Sequence, residues 1–355
     1  MNEKMEKILK YAVDHKASDI HLISDVSPKI RVNGELLNVI GFEDVIGNEI
    51  SEMVLSLLKK DQLAIFEKEK ELDFSFEAVG IRFRANVYLQ KDKPSCALRL
   101  ISSEIATFEE LGIPNLLKDF TKYKQGFVLV TGPTGHGKST TVAALLEEIN
   151  ETIGGHIVTI EDPVEYLIKP KKAIISQREM GGDTNSFGMS LRSCLRQDPN
   201  VVFIGEMRDL ESVSSALTIA ETGHLVFSVL HTNSAAQTID RIVDIFPPGS
   251  KDQIRVQLAT VITAIVSQRL VPAIDGGRIP VFEILIATPA VKNVIREGKS
   301  FMIDNIIQTS SDVGMIGFDS YMAKLVLAGK VSEEVAMEYA TNAIDLQSRL
   351  RRQKI

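Results

Sequence analysis

Residues 126–150 read GFVLVTGPTGHGKSTTVAALLEEIN. Gly132, Gly137, Lys138 and Ser139 satisfy G-x-x-x-x-G-K-[ST], a pattern whose glycines let backbone N–H groups close around phosphate oxygens. Lys138 would reach the β- and γ-phosphates, and the Ser139 hydroxyl would ligate Mg²⁺. The whole loop, Gly132, Pro133, Thr134, Gly135, His136, Gly137, Lys138, Ser139 and Thr140, is expected to line a nucleotide, with His136 a bystander at a free position. Phe127 to Val130 form a short apolar run of strand type, and helix formers follow from Thr140. Strand, loop and helix N-terminus therefore come in the order that favours bound anions. Such a grip serves a switch, a small-molecule kinase or a motor.

A length of 355 residues suggests two or three domains, and 44% hydrophobic with 25% charged residues describes an ordinary globular chain. Acidic residues outnumber basic ones 47 to 40, so the net charge of −7 argues against nonspecific nucleic-acid binding. The two cysteines, Cys96 and Cys194, lie far apart, so neither a disulfide framework nor a zinc site is expected. The N-terminal MNEKMEKILKYAVDHK is charged and helix-like rather than a signal peptide, and no apolar stretch is long enough to span a bilayer. The expected location is cytoplasmic, with no direct membrane insertion.

Residues 1–101 read as a small α/β domain with a turn signal at Asn33-Gly34 and strand-like runs LDFSFEAV, IRFRANVYL and CALRLI. Residues 102–114 form a linker. Residues 115–271 alternate helices with FVLV, HIVTI, VVFIG and LVFSVL, β-branched runs that suit strands buried on both faces of a parallel sheet. Residues 272–355 begin with a strand-like RIPVFEILI and continue as helices.

Ligands of open parallel sheets bind beyond the carboxyl ends of the strands, so polar residues ending apolar runs are the candidates. HIVTI ends in Glu161, with Pro163 stopping the strand, and VVFI leads to Glu206. An acid there can orient Mg²⁺ or polarise the attacking water, while Asp209 is expected to cap the next helix. His224 and His231 bracket LVFSVL and lie about 20 Å apart at ~3.3 Å per strand residue. His231 is placed to sense a γ-phosphate. His224, at the far end, suits a subunit contact or a structural hydrogen bond.

The segments GPTGHGKSTT, TIEDPVEY, ISQREMG, LRQDPNVVFIGEMRDLES and AETGHLVFSVLHTNSA resemble the Walker A, Asp box, Walker B and His box of the secretion ATPase superfamily, and within it the type IV pilus retraction (twitching motility) ATPases. ASDIHL, RFRANVY, VKNVIREGK and IIQTSSDVGM extend the likeness almost end to end. The resemblance implies an α/β fold: a PAS-like N-terminal domain, a RecA-like P-loop ATPase core and a C-terminal helical region. It implies a homohexameric Mg-ATP-driven motor, peripheral at the inner face of the cytoplasmic membrane through an inner-membrane platform protein. It assigns Lys138 and Ser139 to phosphates and Mg²⁺, Glu161 to the Asp box, Glu206 to catalysis with a Mg²⁺ contact through water, and His224 and His231 to the His box. His136 stands where the family usually has serine.

Arg82 and Arg84, two apart in IRFRANVYL, project from one face of a strand, and Arg99 lies on the neighbouring run. They either pair with acids such as Asp73 and Glu77 or, as the resemblance implies, approach a nucleotide across a subunit contact. A guanine-reading N-K-x-D does not occur in this chain, which disfavours a GTPase switch. A related secretion or pilus-extension ATPase, and a nucleic-acid-translocating RecA-like ATPase, are the remaining alternatives.

Overall fold

Helix α1 (Glu3–Asp14) buries Met5, Ile8, Leu9 and Ala12, the stripe that a 3.6-residue period places on one face. Its start is capped by Asn2, whose side-chain oxygen accepts from the Lys4 N–H at 2.8 Å. That stripe joins the core of a sheet made of β1 (Asp19–Leu22), β2 (Lys29–Val32), β3 (Glu35–Asn38), β4 (Glu71–Ala78), β5 (Ile81–Gln90) and β6 (Lys93–Ile101), with α2 (Asn48–Leu55) and α3 (Lys60–Glu69) between β3 and β4. The sheet is antiparallel in the order β3-β2-β1-β6-β5-β4. Phe83, Ala85 and Val87 face the core, so Arg82 and Arg84 take the other face, as the alternation predicts. Lys91 and Asp92 turn the β5–β6 hairpin with φ of 49° and 60°, the positive values a tight two-residue turn needs.

This is a computed structural model describing residues 1–32, 34–101 and 104–352. Asn33 of the expected turn, and Ser102 and Ser103 of the expected linker, lie outside the described residues. The chain divides into two units, Met1–Glu104 with Glu165–Leu167, and Ile105–Val164 with Ile168–Ile355.

In the second unit, α4 (Leu116–Phe120) leads into β7 (Gly126–Thr131), α5 (Lys138–Thr152), β8 (Gly155–Glu161), β9 (Ala173–Glu179), α6 (Phe187–Cys194), β10 (Val201–Ile204), α7 (Leu210–Glu221), β11 (Leu225–Leu230) and α8 (Ala235–Asp244). Then follow α9 (Lys251–Val261), β12 (Ile262–Pro272), β13 (Arg278–Ile286), α10 (Pro289–Arg296), α11 (Ile303–Thr309), α12 (Phe318–Leu327), α13 (Glu333–Tyr339) and α14 (Ala343–Arg352). The sheet order is β13-β12-β7-β11-β10-β8-β9, parallel except for the β12–β13 hairpin. Phe127 and Leu129 join one hydrophobic core while Val128 and Val130 join another, so β7 is covered on both faces. That two-sided burial explains the continuous apolar runs.

Two strands of this sheet, β9 and β12, escape the sequence reading, and β13 carries the sheet past residue 271. Strand β9 is apolar only at Ala173–Ile175 and polar from Ser176 onward, and β12 begins directly after α9 with no turn residue to mark it. Among the described residues no helix is long and apolar enough to cross a membrane. Cys96 and Cys194 are buried in separate cores, and burial pushes the Cys194 thiol up to about 11.

Candidate active site

Strand β7 delivers the chain into the Gly132–Ser139 loop, and β12 passes directly behind it. A Cβ on Gly132 would sit 2.1 Å from the Gln268 carbonyl oxygen, and φ there is +145°, so only glycine fits. Gln268, buried on β12, accepts from the Thr141 hydroxyl at 2.6 Å and donates to the His136 carbonyl at 2.9 Å. The His136 ring is no bystander: its Nδ1 accepts the Leu270 N–H at 2.9 Å. Arg278 donates to the Gly135 carbonyl at 3.3 Å. The β12–β13 hairpin thus braces the loop at the Gly135 and His136 carbonyls and at the His136 ring, and braces the first turn of α5 at Thr141.

Lys138 is buried with its Nζ donating to the Pro133 carbonyl at 2.7 Å and lying 3.3 Å from Nδ1 of His231. Thr134 Oγ1 is also 3.3 Å from that nitrogen. On the opposite side of the ring, Nε2 of His231 stands 3.2 Å from Glu206, which takes a 2.7 Å bond from Arg208. One polar chain therefore runs Lys138–His231–Glu206–Arg208 across the ends of β7, β11 and β10. The geometry suits an imidazole protonated on Nε2 alone, donating to Glu206 and accepting from Lys138. Burial, then the Lys138 charge, holds the His231 pKa below its ordinary value. The Arg208 hydrogen bond, with the Arg208 and Lys138 charges, outweighs burial and holds the Glu206 pKa low. Glu206 is therefore a carboxylate at neutral pH, suited to orienting water or a cation.

Glu161 ends β8, buried, accepting from the Thr159 hydroxyl at 2.6 Å and from Gln177 of β9 at 3.3 Å. Asp209 caps α7, its Oδ1 accepting from the Ser212 N–H at 2.8 Å, as expected.

Residues 1–278 match the family described as Type II/IV secretion system protein. The chain belongs to this family, as a PilT-like ATPase. It is similar to the "Type IV pilus retractation ATPase PilT" of Pseudomonas aeruginosa, 43% identical over 94% of this chain and 97% of that protein. It is also similar to a "Twitching motility protein" of Neisseria gonorrhoeae, 45% identical over 90% of this chain and 86% of that protein. A "Crystal Structure of the Pilus Retraction Motor PilT and Bound ADP" superposes with a TM-score of 0.90 at 43% identity, covering 98% of this chain and 100% of that one.

Within this family member, the fold gathers Lys138, Glu206 and His231 and sets His224 apart. His224 precedes β11, where its Nδ1 lies 3.1 Å from the Ile219 carbonyl and 3.1 Å from the Thr222 hydroxyl. In the other unit, Arg84 stands directly opposite Arg99 in the β5–β6 register, so both share the face carrying Arg82. The acid bonded to Arg99 is Asp19 of β1, at 3.0 Å, rather than Asp73 or Glu77. Asp73 instead accepts from Asn86. The sequence reading misses Gln268, Arg208, Thr159 and Gln177. Thr159 carried a signal, because it lies two residues before Glu161 on one strand and so shares its face; Arg208 likewise lies two residues from Glu206.

Proposed function

We propose that this chain hydrolyses ATP to power retraction of a type IV pilus. The observation that carries this reading is the Lys138–His231–Glu206–Arg208 chain, which joins the phosphate-gripping lysine to a carboxylate held ionised. In this reading Lys138 binds the β- and γ-phosphates, and Glu206 orients and polarises the attacking water. His231 reports the γ-phosphate to Glu206, and Glu161 holds a second carboxyl at the mouth of the sheet. The loop fits a nucleotide: Gly132, Gly135 and Gly137 all have positive φ, and no side chain caps the start of α5 among the described residues. Ser139 and Glu206 are the residues that would hold Mg²⁺, which when bound supplies positive charge to the phosphate oxygens.

The reading extends to a homohexamer, cytoplasmic and peripheral, working on an inner-membrane platform protein; end-to-end similarity to retraction ATPases supports it. Arg82, Arg84 and Arg99 are then the cations that complete a neighbouring subunit's site. The Arg99–Asp19 pair leaves Arg99 68% exposed, and such surface pairs are worth about 0–1 kcal/mol, too little to withhold it. His224 serves the contact between subunits.

Imaging pili in cells lacking the protein tests direction: excess unretracted pili are expected, and bald cells would make it an extension motor instead. Steady-state hydrolysis by assembled Arg82→Ala, Arg84→Ala and Arg99→Ala tests the arginines. Each should be strongly depressed and poorly rescued by lysine, since guanidinium holds phosphate oxygens in a planar fork.

A further inference from the structure

Glu283 is a carboxyl in the middle of β13, whose run Pro280 to Leu285 is otherwise apolar and buried. Burying a carboxylate is expensive, and a methionine or leucine would fill the same space without that cost. Its hydrogen bond goes to a particular place: Oε1 accepts the Ala235 N–H at 2.8 Å. Ala235 is the first residue of α8, so this is one of the amides that a helix start leaves unpaired. Ser234 caps the same turn by accepting from the Gln237 N–H at 3.3 Å, and Thr232 is bonded to Thr238 at 2.6 Å. Only four residues, His231 to Ser234, separate the end of β11 from Ala235. The segment carrying His231 is thus tied at one end by the sheet and at the other by Glu283.

We propose that Glu283 is a positioning residue for hydrolysis, pinning the start of α8 so that His231 stays seated between Lys138 and Glu206, and that the C-terminal helices modulate this grip through the cavity beside it. The cavity, of about 420 Å³, opens on Glu283. Into it face Arg269 of β12, Asp304 of α11, Asp319 and Lys324 of α12, and Asp345 and Arg349 of α14. Arg269 also lies over the Phe318 ring at 4.8 Å, and Asp319 accepts the Thr341 and Asn342 N–H groups at 2.9 and 2.7 Å. A shift of α11 or α12 therefore changes the charges around Glu283 without touching the phosphate loop.

Burial is the largest influence on Glu283 and pushes its pKa up to about 7; Asp304 and Asp319 add to this, while the Ala235 N–H and Arg269 oppose it. Hydrogen bonds to an ionised acceptor are about twice as strong as neutral ones, and the anion also meets the positive end of the α8 dipole. The grip tightens as pH rises through that value. Stability runs the other way. With the folded pKa raised above the ordinary 4.5, the folded chain binds the extra proton, so the Glu283 contribution to stability falls as pH rises from 4.5 to about 7. Activity and stability then move in opposite directions over one window.

The test is Glu283→Gln and Glu283→Asp in the full chain, read by Mg-ATP turnover, thermal unfolding and hydrogen exchange at Ala235, with His231→Gln alongside because the inference rests on the role given to His231. Glu283→Gln should lower kcat about tenfold at alkaline pH with KM for ATP little changed. It should flatten the rise of kcat between about pH 6 and about pH 8. Exchange at Ala235 should speed up while Tm at alkaline pH does not fall. A wild-type kcat and pH profile would overturn the proposal, and so would a kcat loss matched by a lower alkaline Tm. Should the glutamine variant not assemble, the aspartate variant decides: its carboxylate falls one methylene short of Ala235, and an unaltered kcat there overturns the proposal. If His231→Gln itself turns over normally, the role of His231 fails, and Ala235 exchange alone still reports whether Glu283 pins α8.

Discussion

His224 and His231 stand at opposite ends of β11, seven positions apart, in different chemical surroundings. His231 meets a lysine, a threonine hydroxyl and a carboxylate. His224 meets the Ile219 carbonyl and the Thr222 hydroxyl at the close of α7. Chain direction explains the difference. Because β7, β8, β10 and β11 run parallel, helix starts such as those of α5, α7 and α8 gather at one end of the sheet with N–H groups outward. Helix ends gather at the other with carbonyls outward. A histidine at the first end meets the lysine of the glycine-rich loop, and one at the second finds an acceptor for its ring N–H.

Substitutions can break or sharpen that contrast. The largest effect belongs to Glu206→Gln, which keeps the shape but removes the charge that His231 and Arg208 face. Mg-ATP binding should persist while turnover falls about 10²-fold or more in a steady-state assay. Normal hydrolysis would remove Glu206 from the mechanism. His231→Gln comes next, with turnover down about tenfold, since one preorganised hydrogen-bond group is lost from a site that keeps its lysine and carboxylate.

At the other end, His224→Ala should cost about 1 kcal/mol of stability through its lost hydrogen bonds, seen as a lower Tm. Turnover of the assembled protein should change much less than for His231→Gln. If turnover of the alanine variant depends on protein concentration, His224 serves assembly; a concentration-independent collapse would place it in the chemistry.

The smallest effect is a pH dependence. With its folded pKa depressed below the ordinary 6.5, His231 takes a proton more readily in the unfolded chain, so its contribution to stability falls as pH drops below 6.5. Thermal unfolding on either side of that pH should show His231→Gln losing less stability on acidification than the wild type. Equal losses would mean that the ring is not held neutral by burial and Lys138.

What the sequence determined by itself was the order of strand, glycine-rich loop and helix, and with it the end of the sheet where Lys138, Glu206 and His231 gather. Glu161, Glu206 and His231 were legible because each ends a continuous apolar run, and parallel strands aim such ends the same way. Asp209 was legible because helix capping is local. The tertiary structure alone decided which distant segments meet. Gln268 behind the phosphate loop, Gln177 beside Glu161 and Glu283 under α8 lie on strands β12, β9 and β13, and each is brought to its partner by sheet order rather than by sequence proximity. Arg99 shows the same limit: its acid partner lies 80 positions away on β1, because the N-terminal sheet places β6 between β1 and β5. A local pattern specifies which face a side chain takes, whereas a hydrogen-bond partner depends on which strand closes the gap beside it.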